Sequence, residues 1–176
     1  AKFWFEATRD ICPNHVIDHI DPNVVVARRL DMLPVEVVVR DYITGSTDTS
    51  IWTMYAAGKR TVYGHTLPEK LRKNDKLPQT LITPTTKGAQ GAHDVPITAA
   101  EIVALGLLPQ KIWDQVADKS LALFARGRQI AARNGLILVD TKYEFGLSED
   151  GEIVIADEIH TPDSSRYWRA ETYAGR

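Results

Sequence analysis

The sequence predicts an α+β fold in which helices pack on an antiparallel sheet. Three features predict it: a strand and hairpin over residues 136–158, a long amphipathic helix that ends at Asn134-Gly135, and a strand over residues 35–40. A helix with one apolar face and strands with apolar runs bury those surfaces by packing on each other. We therefore expect the helix, the strand from residue 136 and the hairpin to form the stable centre.

The long helix follows Pro109, which suits a first helical position, and Asn134-Gly135 is a typical C-terminal stop. Its apolar stripe consists of Ile112, Trp113, Val116, Ala117, Leu121, Leu123, Phe124 and Ile130. Burial of each large side chain contributes about 1.5–3 kcal/mol. Just before it, the capping box Thr98-Ala99-Ala100-Glu101 predicts a short helix over residues 99–105.

The strands are predicted from short β-branched runs. Residues 136–139 are apolar at every position, as in a strand covered on both faces, and residues 24–27 and 35–40 form two further runs joined by a polar connection over residues 28–34. Residues 15–20 also have a strand-like pattern. From residue 41 to residue 90 the chain is rich in Gly, Thr, Pro and charge without clear periodicity, which we interpret as a substrate-handling loop region.

The overall composition excludes several classes of protein. The chain has 176 residues, of which 44% are hydrophobic and 25% charged, so disorder is not expected. A net charge of -2 without a basic stripe argues against a nucleic-acid partner. No apolar run approaches the ~18 residues of a membrane span, and no signal-peptide segment is present, so we expect no membrane partner and a cytoplasmic location. Cys12 is the single cysteine and is expected to be a packing residue.

A charged face on the strand from residue 136 is the most informative feature for function. Because side chains alternate along a strand, Asp140, Lys142 and Glu144 share one face. The turn at residues 148–151 predicts a hairpin with a two- or four-residue loop, and either length places Lys142 opposite Asp157 and Glu144 opposite Ile155.

Carboxylates held this close in a partly dry site need a cation. Lys142 neutralises one of them, and magnesium suits the rest, since it binds through one or two carboxylates together with substrate phosphates. Glu144 and Asp157 are the predicted metal ligands. The alternative is a solvated hairpin face with an ordinary Lys–Asp cross-strand pair.

Ordered motifs across nearly the whole chain resemble one family, phosphoribosylaminoimidazole-succinocarboxamide synthase, or SAICAR synthetase. The motifs are Phe3-Trp4-Phe5, Asn14-His15, residues 30–40, residues 42–46, Lys76-Leu77-Pro78, residues 83–87, His93-Asp94, residues 139–146, Asp157-Glu158 and residues 161–168. The resemblance implies a two-lobed α+β fold related to kinases. Residues 1–30 would form the end of the N-terminal ATP lobe and the hinge, and residues 31–176 the second lobe, which binds substrate and metal.

The resemblance also implies an activity and its ligands. A member of this family uses ATP and Mg²⁺ to join a carboxyaminoimidazole ribonucleotide to L-aspartate through an acyl phosphate, releasing ADP and phosphate. The oligomeric state does not follow from the sequence, and a homo-oligomer is one of the alternatives. A member should also have a glycine-containing strand-turn-strand before the residues seen here and helices after Trp168, so the sequence is expected to be a fragment.

The site residues follow from this resemblance together with the chemistry of each side chain. The expected catalytic residues are Lys142 and Asp140, and the metal ligands are Glu144 and Asp157. The expected substrate contacts are Arg40, Ser46, Asp140, Asp163 and Arg166, and the cofactor contacts are Arg28, Arg29, Leu30, Glu36 and Asp157. Arginine suits phosphate because its planar fork offers several donors.

Some of these residues have a plainer interpretation. Arg40 could form a strand-end ion pair with Asp41 or Glu36, and Asp163-Ser164-Ser165 could be a turn or cap. The segments 73–75 and 85–87 and the lone His93 suit either substrate binding or a solvated loop.

Two other functions compete with the ligase. The first is a small-molecule kinase on the same fold, because lysine, metal and carboxylates serve phosphoryl transfer generally. The second is a non-catalytic nucleotide-binding fragment. Aspartate dependence separates the ligase from a kinase, and calorimetry separates it from a fragment that binds ribonucleotide without ATP turnover.

Overall fold

A computed structural model describes residues 1–87 and 95–175 and confirms the α+β prediction. The helices are α1 (Lys2–Ala7), α2 (Ile51–Ala56), α3 (Ala99–Ala104) and α4 (Gln110–Arg133), with a 3₁₀ helix over Ala170–Gly175. The strands are β1 (Val16–Asp21), β2 (Val24–Ala27), β3 (Asp31–Tyr42), β4 (Thr61–Val62), β5 (His65–Thr66), β6 (Lys76–Thr86), β7 (Val95–Pro96), β8 (Leu136–Leu147), β9 (Ile153–Ala156) and β10 (Ser165–Arg169).

A six-stranded antiparallel sheet organises the fold. Its order is β10-β8-β3-β6-β7, and β9 also pairs with β8. Strands β10 and β9 pair with different parts of β8, at residues 136–141 and 144–147 respectively. The segment that joins them therefore passes β8 at Lys142, whose backbone N–H donates to the Ser164 carbonyl at 2.9 Å.

Helix α4 covers one face of this sheet, as the sequence predicts. Its buried residues include Trp113, Val116, Leu123 and Phe124, and they belong to the same core cluster as Tyr143 of β8. Cys12 is buried in this cluster and has the predicted packing role. Among the described residues, no helix has the length and apolar character needed to cross a membrane.

The predicted helix ends agree with the structure to within one residue. The capping box at Thr98 and Glu101 is formed, and α3 follows it directly. Pro109 is the N-cap of α4 rather than its first helical residue, and the helix ends at Arg133 with Asn134 as its C-cap, before Gly135 with its φ of 68°. Such one-residue differences are common at helix ends.

The interpretation of residues 41–90 as a loop region is wrong for most of its described part. Strand β6 pairs with β3 along the middle of the sheet, and α2 with Leu67, Leu77 and Leu81 forms a second apolar cluster. A proline disfavours a strand prediction because it has no N–H donor. Pro84 nevertheless lies in β6, and its carbonyl accepts a hydrogen bond from the Ile97 N–H at 3.1 Å. Residues 88–94, with His93 and Asp94, lie outside the described residues.

The polar connection predicted over residues 28–34 is shorter than expected. Strand β3 already begins at Asp31, so only residues 28–30 join it to β2. Leu33 and Val35 are both buried on the helix side of the sheet. The alternation of buried and exposed side chains along β3 therefore continues through Pro34. The predicted division into two lobes at residue 30 stays a prediction.

Candidate active site

The sheet face opposite α4 carries the predicted charged side chains. In the β3–β8 pairing, Arg40 lies opposite Asp140, and Glu36 lies opposite Glu144. Lys142 lies between these two pairs, opposite Val38. The predicted sharing of one face by Asp140, Lys142 and Glu144 is confirmed, while Tyr143 points into the core.

Lys142 is the centre of a lysine–carboxylate cluster. Its Nζ lies 2.6 Å from Glu144 Oε1, 3.1 Å from Glu36 Oε1 and 4.0 Å from Asp157 Oδ2. Burial alone would lower the pKa of Lys142, but the hydrogen bonds and charges of Glu144 and Glu36 outweigh it and raise the pKa above its ordinary value. The ammonium group therefore stays charged at neutral pH.

Lys87 joins this cluster from the end of β6. It forms an ion pair with Glu144 Oε2, while Lys142 holds Oε1, so both oxygens of this carboxylate have a lysine partner. Partial burial acts to raise the pKa of Glu144, but the two lysines outweigh it and lower the pKa to about 2. Sequence reasoning left Lys87 undecided, because its position depends on β6, which the sequence does not reveal.

Asp157 reaches the cluster by a route that differs from the predicted one. The observed register places Glu144 opposite Ala156 and Phe145 opposite Ile155, one residue away from the prediction. The cause is a five-residue connection, Ser148 to Glu152, closed by a hydrogen bond from Ser148 N–H to the Glu152 carbonyl at 3.0 Å. A loop with an odd number of residues shifts the register by one.

A left-handed residue compensates for this shift. Strand β9 ends at Ala156, and Asp157 has a φ of 61°, which turns its side chain back toward Lys142. Burial and the negative charge of Glu144 raise the pKa of Asp157. The pKa of Glu144, in contrast, is lowered. This carboxylate is about half exposed, at 52%, so it is open to a ligand from solvent.

A second cluster lies next along β8, around Asp140. Arg166 donates to both oxygens of this carboxylate, from Nε at 2.8 Å and from Nη2 at 2.6 Å. Arg40 Nη1 donates to Oδ2 at 2.8 Å, and its Nε donates to Thr83 Oγ1 at 2.9 Å. Arg40 thus pairs with Asp140 rather than with Asp41 or Glu36, the partners of the plainer interpretation.

The two guanidinium groups share a single carboxylate, so this cluster has an excess of positive charge. It faces a cavity of about 280 Å³. The lining residues are Val38, Arg40, Asp140, Thr141, Lys142, Pro162, Asp163, Ser164, Ser165 and Arg166. Arginine and hydroxyl donors around such an opening suit an anion with several oxygens, such as a phosphate.

Ser46 and Asp163 have different relations to this cavity. Asp163 lies in its wall, in the turn that precedes β10. Ser46 is exposed and follows Gly45, which has a φ of 108°. A Cβ built on Gly45 would lie 2.4 Å from Ser50 Cβ, so glycine permits the close approach of Ser50, and the same Cβ would make an ordinary contact of 3.4 Å with Arg166 Nη1.

The predicted cofactor contacts at residues 28–30 lie at the far end of β8. Arg28 and Arg29 are exposed, and the Arg28 N–H donates to the His15 carbonyl at 2.7 Å. Leu30 packs against Gly146, where an added Cβ would lie 2.7 Å from Leu30 Cβ. The connection therefore runs beside the strand that also carries Glu144.

The segment 73–75, which suits either substrate binding or a solvated loop by sequence, contains a packed turn. The Asn74 side chain accepts a hydrogen bond from Thr44 Oγ1 at 2.7 Å.

The donor set suits a magnesium ion bound together with phosphate. Within residues 1–87 and 95–175, no three acidic, histidine or cysteine side chains converge to hold a metal by themselves. Glu144 and Asp157 are close enough for the charge of one to raise the pKa of the other, a repulsion that a divalent cation relieves. Two carboxylates are sufficient when waters and substrate phosphates supply the remaining oxygens.

Comparison with known proteins decides the family. Residues 1–176 match SAICAR synthetase along their whole length. The chain belongs to the SAICAR synthetase family. A Mesorhizobium japonicum protein is 61% identical over 173 residues, which are 98% of this chain and 55% of that protein. The phosphoribosylaminoimidazole-succinocarboxamide synthase of Legionella pneumophila strain Lens is 53% identical over 176 residues, 100% of this chain and 56% of the relative.

Solved SAICAR synthetases share the fold. The SAICAR synthase of Saccharomyces cerevisiae, solved with SAICAR, has a TM-score of 0.81 and 30% identity, covering 98% of this chain and 61% of that one. A SAICAR synthetase solved with ADP has a TM-score of 0.78 and 28% identity, covering 98% of this chain and 65% of that one. The chain thus spans little more than half the length of these curated relatives and about two thirds of the solved chains.

Proposed function

We propose that this chain supplies the substrate- and phosphate-binding part of an ATP-dependent ligase. The reaction joins 5-amino-1-(5-phosphoribosyl)imidazole-4-carboxylate to L-aspartate and gives SAICAR, ADP and phosphate. One observation supports this most directly: an arginine cluster with excess positive charge and a lysine–carboxylate cluster lie side by side on the same sheet face. Solved family members named with SAICAR and with ADP support the same pair of ligands.

The arginine cluster is the proposed site of the ribonucleotide phosphate. Arg40 is fixed by Asp140 and Thr83, so its remaining donors are already oriented when a phosphate arrives. Arg166 is 45% exposed and can approach the ligand from the rim. Asp140, with both oxygens engaged by arginines, would orient these groups. Ser46 and Asp163 would contact the substrate at the edge of the cavity.

The lysine–carboxylate cluster is the proposed site of the ATP phosphates. Lys142 would stabilise charge on the phosphoryl group as it moves from ATP to the imidazole carboxylate, with ADP as the leaving group. The amine of aspartate then attacks the acyl phosphate and releases phosphate. Glu36 and Glu144 hold the ammonium of Lys142 in place.

Magnesium would be held by Glu144 and Asp157, and it would neutralise the charge on the phosphate oxygens. Residues 28–30 would meet the adenine ring through their backbone groups, and Glu36 would help to hold the nucleotide. A cytoplasmic location, a homo-oligomeric state and the lack of a nucleic-acid partner stay predictions.

The test measures ADP release in the presence of Mg²⁺, with each substrate omitted in turn. We expect ADP only when ATP, the imidazole carboxylate ribonucleotide and L-aspartate are all present, because sustained turnover needs the amine that consumes the acyl phosphate. Continued ADP release without aspartate would contradict the ligase and indicate a kinase. Ribonucleotide binding by calorimetry without any ATP turnover would indicate a non-catalytic binding protein.

A further inference from the structure

Two non-glycine residues with left-handed backbone lie within four positions of each other, at Asp157 with a φ of 61° and His160 with a φ of 53°. L-residues rarely adopt this conformation, and it persists only where surrounding groups hold it. The first of the two is the residue whose carboxylate completes the cluster around Lys142. The contacts of His160 show which groups hold the segment from Asp157 to His160.

His160 is fixed on the side of the sheet away from the cluster. Its side chain is buried, and its Nε2 shares a hydrogen bond with the Tyr143 hydroxyl at 2.5 Å. Its carbonyl accepts from the Tyr167 hydroxyl at 2.8 Å, and its ring meets the edge of Trp4, with ring centroids 4.8 Å apart. Three separate groups, from Tyr143, Tyr167 and Trp4, therefore define the position of this one residue.

Tyr143 is placed to transmit this constraint. It stands in β8 between Lys142 and Glu144 but points to the opposite face and is fully buried. Its bond to His160 therefore ties the left-handed segment to the same strand that carries the two charged residues. Asp157 is held relative to Lys142 by a connection that runs through the sheet.

Helix α4 leaves room for this arrangement at Gly127. A Cβ built there would lie 2.5 Å from His160 Cε1 and 2.9 Å from Nδ1. Within the described part of the chain, His160 Nδ1 is buried and has no hydrogen-bond partner. Buried polar atoms without partners are rare and costly, and a simple apolar residue would fill this space without that cost. Packing alone does not account for a histidine here.

We propose that His160 and Tyr143 are positioning residues, whose hydrogen bond fixes the left-handed turn and thereby holds the Asp157 carboxylate beside Lys142 and Glu144 for a divalent cation and its nucleotide. This inference rests on the proposed function of that cluster. Neither residue touches the ligands, because both lie on the other face of the sheet.

The test is calorimetric measurement of ADP binding with and without Mg²⁺ for the wild-type protein, Tyr143→Phe, His160→Leu and His160→Gln. We expect Tyr143→Phe and His160→Leu to weaken Mg²⁺-dependent ADP binding by about 10-fold, a typical effect of losing a group that orients a metal ligand. Binding without Mg²⁺ should change little. His160→Gln should keep most of the affinity, because its amide can restore the bond to Tyr143.

Tyr55→Phe is the matched control. Tyr55 is also buried and donates from its hydroxyl, to the Pro68 carbonyl at 2.8 Å, but it belongs to the second apolar cluster. This variant should lose stability without any change in ADP affinity. Tyr143→Phe keeps the ring and its volume, so it remains informative if His160→Leu does not fold.

Asp157→Asn distinguishes the metal role of Asp157 from the positioning role of Tyr143 and His160. If it weakens Mg²⁺-dependent binding while Tyr143→Phe binds ADP like the wild type, the positioning role is overturned and the metal site stands. If Asp157→Asn itself binds like the wild type, the metal role of Asp157 is overturned, and the positioning role with it.

Discussion

Asp140 accepts hydrogen bonds from Arg40 and Arg166, and this sharing determines what the neighbouring cavity can bind. One carboxylate neutralises one guanidinium, so the second positive charge is available to an anion. Arg40 is 7% exposed, so its removal would leave an unfilled space in the interior beside Asp140, whereas Arg166 is 45% exposed and lies at the rim. The two arginines therefore differ in what a substitution tests.

Replacing Arg166 with Ala tests phosphate binding at the rim, where Asp140 keeps its bond to Arg40 and water can take the place of the lost guanidinium. We expect the KM for the ribonucleotide to rise about 10- to 100-fold, since a charge-assisted hydrogen bond contributes about 1.5–3 kcal/mol. The KM for ATP should change little. Steady-state kinetics with the ribonucleotide varied would measure this, and an unchanged ribonucleotide KM would contradict the assignment.

Arg40→Ala provides the comparison. It should raise the same KM and also lower the free energy of unfolding by roughly 3–5 kcal/mol, because it breaks a buried ion pair. Urea unfolding of the two variants would show the difference.

Replacing Lys142 with Ala removes the fixed cation of the second cluster. We expect kcat to fall by at least about 10²–10³-fold, the usual effect of losing one group that stabilises transition-state charge. Lys111→Ala is a suitable control, because this lysine is exposed on α4. Turnover retained in Lys142→Ala and comparable to that of Lys111→Ala would refute the assigned role.

At the scale of elements, the sequence predicted strands and helices better than it predicted how they meet. Helix α4, the capping box of α3 and the apolar run at the start of β8 follow from local patterns, and all three are observed. Strand β6 was missed because prolines and threonines conceal its pattern. The β8–β9 register was wrong because loop length has no clear local signal.

The contact between α4 and the segment after β9 gives a prediction about Gly127. A Gly→Ala change within a helix usually stabilises by about 1 kcal/mol through helix propensity. Here we expect Gly127→Ala to destabilise the protein by about 1–3 kcal/mol instead, because the new methyl group would overlap with His160 and with Leu138 Cδ2. Chemical denaturation would measure the change.

Ala122→Gly calibrates this measurement. Ala122 is exposed on the same helix, so its replacement should cost about 1 kcal/mol from propensity alone. A Gly127→Ala protein more stable than the wild type would show that the helix does not pack closely on His160.

At the scale of the whole molecule, ionisable groups on the two faces of the sheet both make the protein less stable in acid, each in its own pH interval. Burial lowers the pKa of His160 to about 3, so this ring stays neutral in the folded protein while it becomes protonated below about pH 6.5 in the unfolded chain. The unfolded state then binds the additional proton. Stability therefore falls as the pH decreases from about 6.5 toward 3.

We expect His160 to contribute a slope of up to about 1.4 kcal/mol per pH unit across this window. The interval from pH 6.5 to 5 shows the His160 effect with little change from Glu144. The stability that Glu144 contributes is lost only as the pH falls below its unfolded pKa of 4.5 toward about 2. Urea unfolding of the wild type and of His160→Gln at pH 5, 6 and 7 would measure it. Equal slopes in the two proteins would contradict the prediction.

The sequence by itself determined the fold class, the family and the common face of Asp140, Lys142 and Glu144, because helix periodicity, strand alternation and ordered motifs are local properties of the chain. Only the tertiary structure decided that Lys87 reaches Glu144, that Arg40 and Arg166 share Asp140, and that Asp157 arrives through a left-handed turn. Each of these contacts joins residues from different strands or loops. Their geometry depends on loop length, register and buried packing, which no local pattern specifies.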